Sequence, residues 1–275
     1  MLQFAPSTYY AAKSRPLSDR ARHDAVLGPM LRAIWEKNYS VYGRRKLWKA
    51  AHRSSLDIGR DQVARLMAAE SICGATRAKK RFTTKADPAH VRAQDLVNRN
   101  FTAPRPDALW VADFTYCSTW SGIVYVAFII DVFSRRLVGW KAARSMTAAL
   151  VVDALNMAAW TRRHATLDGL ICHTSISYTD RIDGVGAAPS IGTVGDSFDN
   201  AMAESVMGIF KTELHRNPAA LATNGGPWKG LDDLEIATCA WVAWFNEERL
   251  HSELGDRTPA EVEADYGHQS QPDVA

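Results

Sequence analysis

Asn200, Glu204, Met207 and Lys211 recur at offsets of 4, 3 and 4, the spacing that lines one face of a helix. A carboxylate and an amine two turns apart on one edge suit a site that holds a divalent metal beside a phosphate backbone. The same spacing also describes a solvated face carrying a Glu and a Lys, and taken alone it leaves both readings open. Asp113, far upstream in the strand-like run LWVADFTYC, offers the first reading a second carboxylate.

These residues need elements to position them. Before the helix, Gly195 and Asp196 mark a turn, and Ser197 or Asp199 can cap its N-terminus. Residues 109–117 and 122–131 are rich in β-branched and aromatic residues and are joined by STWSG, a hairpin-length connection. RLVGWKA supplies a third strand, and residues 147–163 a helix so apolar all round that burial is expected. GLICHT (169–174) is a fourth strand, followed by a helical piece and then the 191–211 stretch. An amphipathic helix over 232–246 carries Leu234, Ala237, Trp241, Trp244 and Phe245 on one side. This order is mixed α/β.

The 275 residues hold enough apolar chain for a sizeable core. A net charge of +3 hides an asymmetry: residues 1–104 carry 20 Lys/Arg against 8 Asp/Glu, and the remainder 13 against 22. A basic front half suits a polyanion. After an irregular lead-in (1–18), a helix is expected from Ser18 with Leu27, Met30, Leu31, Ile34 and Trp35 inward. A basic helix bearing Arg44, Arg45 and Lys46 follows, then the LDIG turn and a helix with Val63, Leu66 and Met67 inward. That is a helix-turn-helix pattern over 19–76, with Arg60, Asp61, Gln62 and Arg65 on its exposed side as candidate DNA contacts. A helical hairpin with solvated charges would read the same way. Residues 77–105 have linker composition, and Lys79, Lys80 and Arg81 can track phosphates. No long uncharged apolar run or signal peptide is present, so a soluble, cytoplasmic protein with no membrane partner is expected. The four cysteines are scattered without a CxxC, and no G-x-S-x-G, P-loop or H-E-x-x-H occurs.

WVADFTY around Asp113, FIIDVFSRR, GDSFDNAMAE and WFNEERLHSELG together resemble the retroviral-integrase-type transposases of bacterial insertion sequences. The likeness is to the second-reading-frame product of the IS-three group and covers about residues 20–265 in consistent order. It implies an α/β, RNase H-like (integrase) catalytic core over 106–265, preceded by the helix-turn-helix region and followed by a tail at 266–275. It also implies a polynucleotidyl transferase of the DDE type, in which three carboxylates hold Mg²⁺ (or Mn²⁺) while element ends are cut and joined to target DNA. By position Asp113 matches the first ligand and Glu204 the last, and Lys211 and Asn200 match DNA-contacting positions. Asp131 matches a position better suited to structural hydrogen bonding, and His173 a strand end.

The second aspartate of the pattern should follow His173-Thr174, yet Ser175 stands there. Only 29 residues (175–203) separate Thr174 from Glu204, against the roughly 35 that the resemblance implies between the last two ligands. An in-frame loss of about seven residues beginning with Asp accounts for the difference. Asp180 is a substitute ligand at best, since it falls in the following helix. A shortened fourth strand or an unwound turn at 175–178 is expected. The resemblance thus implies a transposase by descent whose second ligand is deleted, and the contrasting reading is a non-catalytic DNA binder that occupies element ends. It further implies DNA and a homo-oligomer on DNA as partners, a nucleoid-associated bacterial setting, and a first-reading-frame protein as fusion or partner, since MLQFAPSTYY reads as the middle of a lead-in.

Overall fold

A computed structural model describes residues 6–76, 102–163, 167–174, 188–191 and 201–270. The chain divides into two compact units, Met1–Gly74 and Ala75–Ala275.

The first unit is helical. Its α1 (Pro6–Ser14) is a nine-residue helix where the sequence suggests an irregular lead-in. The Ser18 side chain accepts the Ala21 N–H and starts α2 (Asp19–Lys37), as its sequence position predicts. Leu27 and Leu31 are buried, whereas Met30 is 44% exposed. Met30 sits at the margin of a stripe narrower than its heptad-like spacing suggests. α3 (Arg44–Arg53) and α4 (Arg60–Ala69) follow. Leu47, Ile58, Val63 and Leu66 form the shared core with Leu31, and the Trp48 indole donates to the Ile58 carbonyl at 2.9 Å to fix the turn.

The second unit is built on a five-stranded sheet: β1 (Leu109–Thr119), β2 (Gly122–Asp131), β3 (Leu137–Ala143), β4 (Ile171–Thr174) and β5 (Ala188–Ile191). The spatial order is β3-β2-β1-β4-β5, antiparallel across β3-β2-β1 and parallel across β1-β4-β5. β1 to β3 match the sequence reading. β5 does not appear in it, because a four-residue strand containing Pro189 carries too little pattern.

Helix α5 (Ala148–Thr161) covers one face of the sheet. Leu150, Val151, Ala154, Leu155 and Ala158 pack on Trp110, Ala112, Ala127 and Ile129. Only this stripe is buried. Met157 and Trp160 are exposed, which corrects the expectation of burial all round: a helix laid on a sheet hides one side, whatever its composition. Gly139 on β3 makes the contact close, since a Cβ there would lie 2.2 Å from the Ala154 carbonyl oxygen.

The other face carries α6 (Ala201–Phe210), which runs into a π-helical turn (Lys211–His215), then α7 (Pro218–Thr223) and α8 (Leu231–Glu247). A 3₁₀ turn (Ser252–Leu254) and α9 (Pro259–Ser270) complete the unit, α9 extending into the stretch read as tail. Phe128 of β2, Phe210 and Trp241 meet edge to face with ring centroids 5.1–6.1 Å apart, a geometry aromatic quadrupoles favour.

Candidate functional site

The sheet register decides what surrounds Asp113. Asp113 pairs with Phe128 on β2, and Phe128 packs on Phe210 at the end of α6. The aromatic contact therefore seats α6 on the β1 side that bears Asp113. Ala203, Val206, Met207 and Phe210 form the buried side of that helix, leaving Glu204, in its first turn, half-buried and facing the same region.

The electrostatics follow from this placement. Burial pushes the Asp113 carboxyl up, the Phe114 N–H donating at 2.8 Å pulls it back, and the nearby Glu204 charge pushes again, leaving it at about 6. Two carboxylates drawn together in a partly desolvated place repel each other unless a cation sits between them. Their hard oxygen donors suit Mg²⁺ or Mn²⁺. Among the described residues no group of three or more His, Cys, Asp or Glu could hold a metal. Asp180, the proposed substitute, lies outside the described residues, as do Asn200 and the turn residues Gly195, Asp196, Ser197 and Asp199.

Asp131 is no ligand. It is fully buried, and its oxygens accept from the Asp107 N–H (2.7 Å), the Ser134 N–H (2.7 Å) and the Ser134 hydroxyl (2.8 Å). This is the structural role its position implies. His173, also buried, lies within β4.

Lys211 departs from the simple helical face. The α-helix ends at Phe210, and the π turn carries the Lys211 ammonium to 4.2 Å from the centroid of the Tyr116 ring on β1. Burial lowers its pKa from the usual lysine range. The turn is locked from behind by Glu213, which accepts from Arg249 Nε at 2.7 Å and Nη2 at 2.6 Å, both side chains buried. Asn217 donates to the Glu213 carbonyl, and the Trp228 indole to that of His215. Sequence reasoning missed Tyr116, Glu213 and Arg249 as parts of the site. The only signal was that Tyr116 and Arg249 lie inside the motifs quoted for the resemblance; nothing in the sequence couples residues 36 positions apart.

In the helical unit, Arg44, Arg45 and Arg60 are exposed, and Lys46 lies 5.7 Å from the Tyr42 ring centroid. Gln62 and Arg65 are not on the open side. Both are half-buried and turn to Asp24 of α2, with Arg65 Nη2 at 2.8 Å from Oδ1 and Gln62 at 3.5 Å. A carboxylate on the facing helix captures a guanidinium that the helical wheel alone leaves in solvent. Lys79, Lys80 and Arg81 lie outside the described residues. No helix among the described residues is long and apolar enough to cross a membrane.

Comparison with known proteins places these features together. Residues 103–197 and 185–259 match two integrase core domain families, and residues 22–80 an HTH-like domain. The chain is 43% identical to a protein named as transposase for insertion sequence element IS986/IS6110 of Mycobacterium tuberculosis, covering 98% of each. It is 44% identical to the transposase for insertion sequence element IS629 of Shigella sonnei, covering 96% of this chain and 90% of that one. Among solved structures, the simian T-cell lymphotropic virus intasome in complex with PP2A regulatory subunit B56 gamma matches at 13% identity and a TM-score of 0.47, covering 85% of this chain and 73% of that chain.

Proposed function

The chain belongs to the insertion-sequence transposases of the IS-three group, and we propose that its core is built to cut and join element DNA ends with a divalent metal, chemistry in which this copy is impaired. The observation that carries the impairment is the β1–β4 ladder. Val111 pairs with His173 and Ala112 with Thr174, the last described residue of that segment, and the next residue of β1 is Asp113. A carboxylate at the next step would stand across the strand spacing of about 4.8 Å from Asp113. In the sequence the residue after Thr174 is Ser175, which lies outside the described residues, as does the turn expected at 175–178. The alignment with the IS986/IS6110 relative runs over 280 positions, more than the 275 residues of this chain, so that relative carries residues this chain lacks. The ladder register and the count of 29 residues from Thr174 to Glu204 support a loss of about seven residues beginning with Asp, which would complete the three ligands of a two-metal site.

When bound, Mg²⁺ or Mn²⁺ supplies Lewis acidity toward a phosphodiester and its attacking hydroxyl. Asp113 and Glu204 would hold it, and Lys211 would keep a phosphate in place beside them. Two carboxylates leave most of the coordination shell to water, so the attacking and leaving oxygens are not both fixed. Arg44, Arg45, Lys46 and Arg60 would grip DNA from the helical unit, with Lys79, Lys80 and Arg81 following the backbone. Partners on this reading are element ends and target DNA, a second copy on that DNA, and a first-reading-frame protein; the setting is the bacterial cytoplasm at the nucleoid. The missing aspartate also favours a second reading, a non-catalytic binder that competes at element ends.

A paired strand-transfer assay with Mg²⁺ and Mn²⁺ on DNA bearing the element's ends tests this. One arm is the chain as it stands, the other has seven residues beginning with Asp inserted between Thr174 and Ser175. Joining by the restored chain alone supports the proposal. Joining by the chain as it stands overturns the impairment and points to Asp180.

A further inference from the structure

We infer that the tip of the β1–β2 hairpin is a stacking shelf for an unpaired DNA base, with Trp120 as its platform; the inference rests on the DNA-joining reading above. Trp120 is 79% exposed, and Tyr116 (55%) and Ile123 (43%) lie on the same hairpin. Isolated exposed apolar residues are ordinary on a protein surface. Here three sit within eight residues of a segment that is pinned. The Trp120 N–H donates to the Trp228 carbonyl and the Ser121 N–H to that of Lys229, each at 3.0 Å. Inside the tip, the Thr119 hydroxyl donates to the Gly122 carbonyl at 2.7 Å. The Ser118 carbonyl meets His215 Nε2 at 3.1 Å, and the Asp233 carboxylate accepts the Lys229 and Gly230 N–H groups to hold the supporting loop. The indole is thus presented from a fixed backbone, which spares a ligand the cost of ordering it.

The surroundings select the ligand. Lys211 lies over the Tyr116 ring, and Arg216 and Lys229, both exposed, come from the two segments that support the hairpin. Aromatic faces interleaved with cations bind single-stranded nucleic acid: bases stack while the cations follow the phosphates. The shelf also has a defined place relative to the carboxylates. Trp120 is seven residues along the chain from Asp113, roughly 23 Å at strand rise, or about seven nucleotide steps. A frayed or displaced strand leaving the carboxylate pair along β1 would reach it.

The test compares the full chain with Trp120→Ala and Trp120→Phe at low salt. The probes are a blunt DNA duplex and the same duplex with a single-stranded extension carrying 2-aminopurine. The extension should quench on binding and bind more tightly than the blunt form, by roughly 5- to 100-fold. Trp120→Ala should abolish both the preference and the quench while leaving blunt-duplex affinity within about twofold, and Trp120→Phe should retain most of both. An unchanged preference in Trp120→Ala overturns the inference. So does a change confined to sedimentation, which would make the tip a contact between copies. If the parent chain binds neither probe, the DNA reading itself fails and takes the shelf with it, an outcome distinct from selective loss in the variant.

Discussion

Asp113 on β1 and Glu204 in the first turn of α6 are separated by ninety residues of chain, yet the charge of the second raises the carboxyl of the first. The aromatic stack that holds α6 to the sheet enforces this proximity. Burial first, and then that charge, hold the Asp113 carboxyl at about 6, a perturbation that also marks candidate functional sites.

Replacing Asp113 by Asn removes both the desolvated charge and its repulsion with Glu204. The metal-free protein should gain about 1–2 kcal/mol, read as a higher midpoint in denaturant with EDTA present. Tens of millimolar Mg²⁺ should raise the melting temperature of the parent chain and leave the variant unmoved. A variant no more stable than its parent would mean that the two carboxylates do not strain each other.

Lys211→Ala tests the cation held over Tyr116. If Lys211 neutralises one DNA phosphate, the slope of log K against log[salt] should become shallower by about 0.9, with the same loss for unrelated duplex sequences. An unaltered slope would confine Lys211 to its ring contact.

The buried pair Glu213–Arg249 lies beneath the π turn that carries Lys211. Arg249→Met leaves a carboxylate buried without its partner and should cost about 3–5 kcal/mol of unfolding free energy. The double change Glu213→Leu with Arg249→Met should recover much of that. Equilibrium denaturation of the three variants separates the penalty of an orphaned charge from the net worth of the pair.

Asp24 gives the helical unit a pH dependence. The Arg65 hydrogen bond, opposed by partial desolvation and aided by the guanidinium charge, holds its carboxyl below the ordinary value. A carboxyl depressed in the folded state contributes stability above its unfolded pKa of about 3.9, and this is lost as pH falls through the folded value. Melting of the helical unit followed from pH 6 down to pH 2 should show that loss, and Asp24→Asn should flatten the acid limb. Equal slopes in both proteins would contradict the coupling.

Local features of the chain are legible in its residues alone. Residues 109–143 announce three strands because their apolar runs and hairpin-length joint admit little else, and all three form where the sequence puts them. Ser18 announces the start of α2 because capping is a local interaction between a side chain and the amide three residues on. The count of 29 residues between Thr174 and Glu204 is likewise legible in the sequence, since it needs no coordinates. What the sequence leaves open are relations between distant residues. Helical periodicity puts Arg65 and Gln62 in solvent, whereas packing of α4 on α2 brings Asp24 to them. Composition makes α5 look buried all round, and only its docking on one sheet face shows which stripe is hidden. The seating of Lys211 on Tyr116, the closure of Arg249 on Glu213 and the approach of Glu204 to Asp113 depend on how sheet and helices meet. Local chemistry fixes elements and their ends; charges and rings far apart in the chain find one another only when the core has set the distances between them.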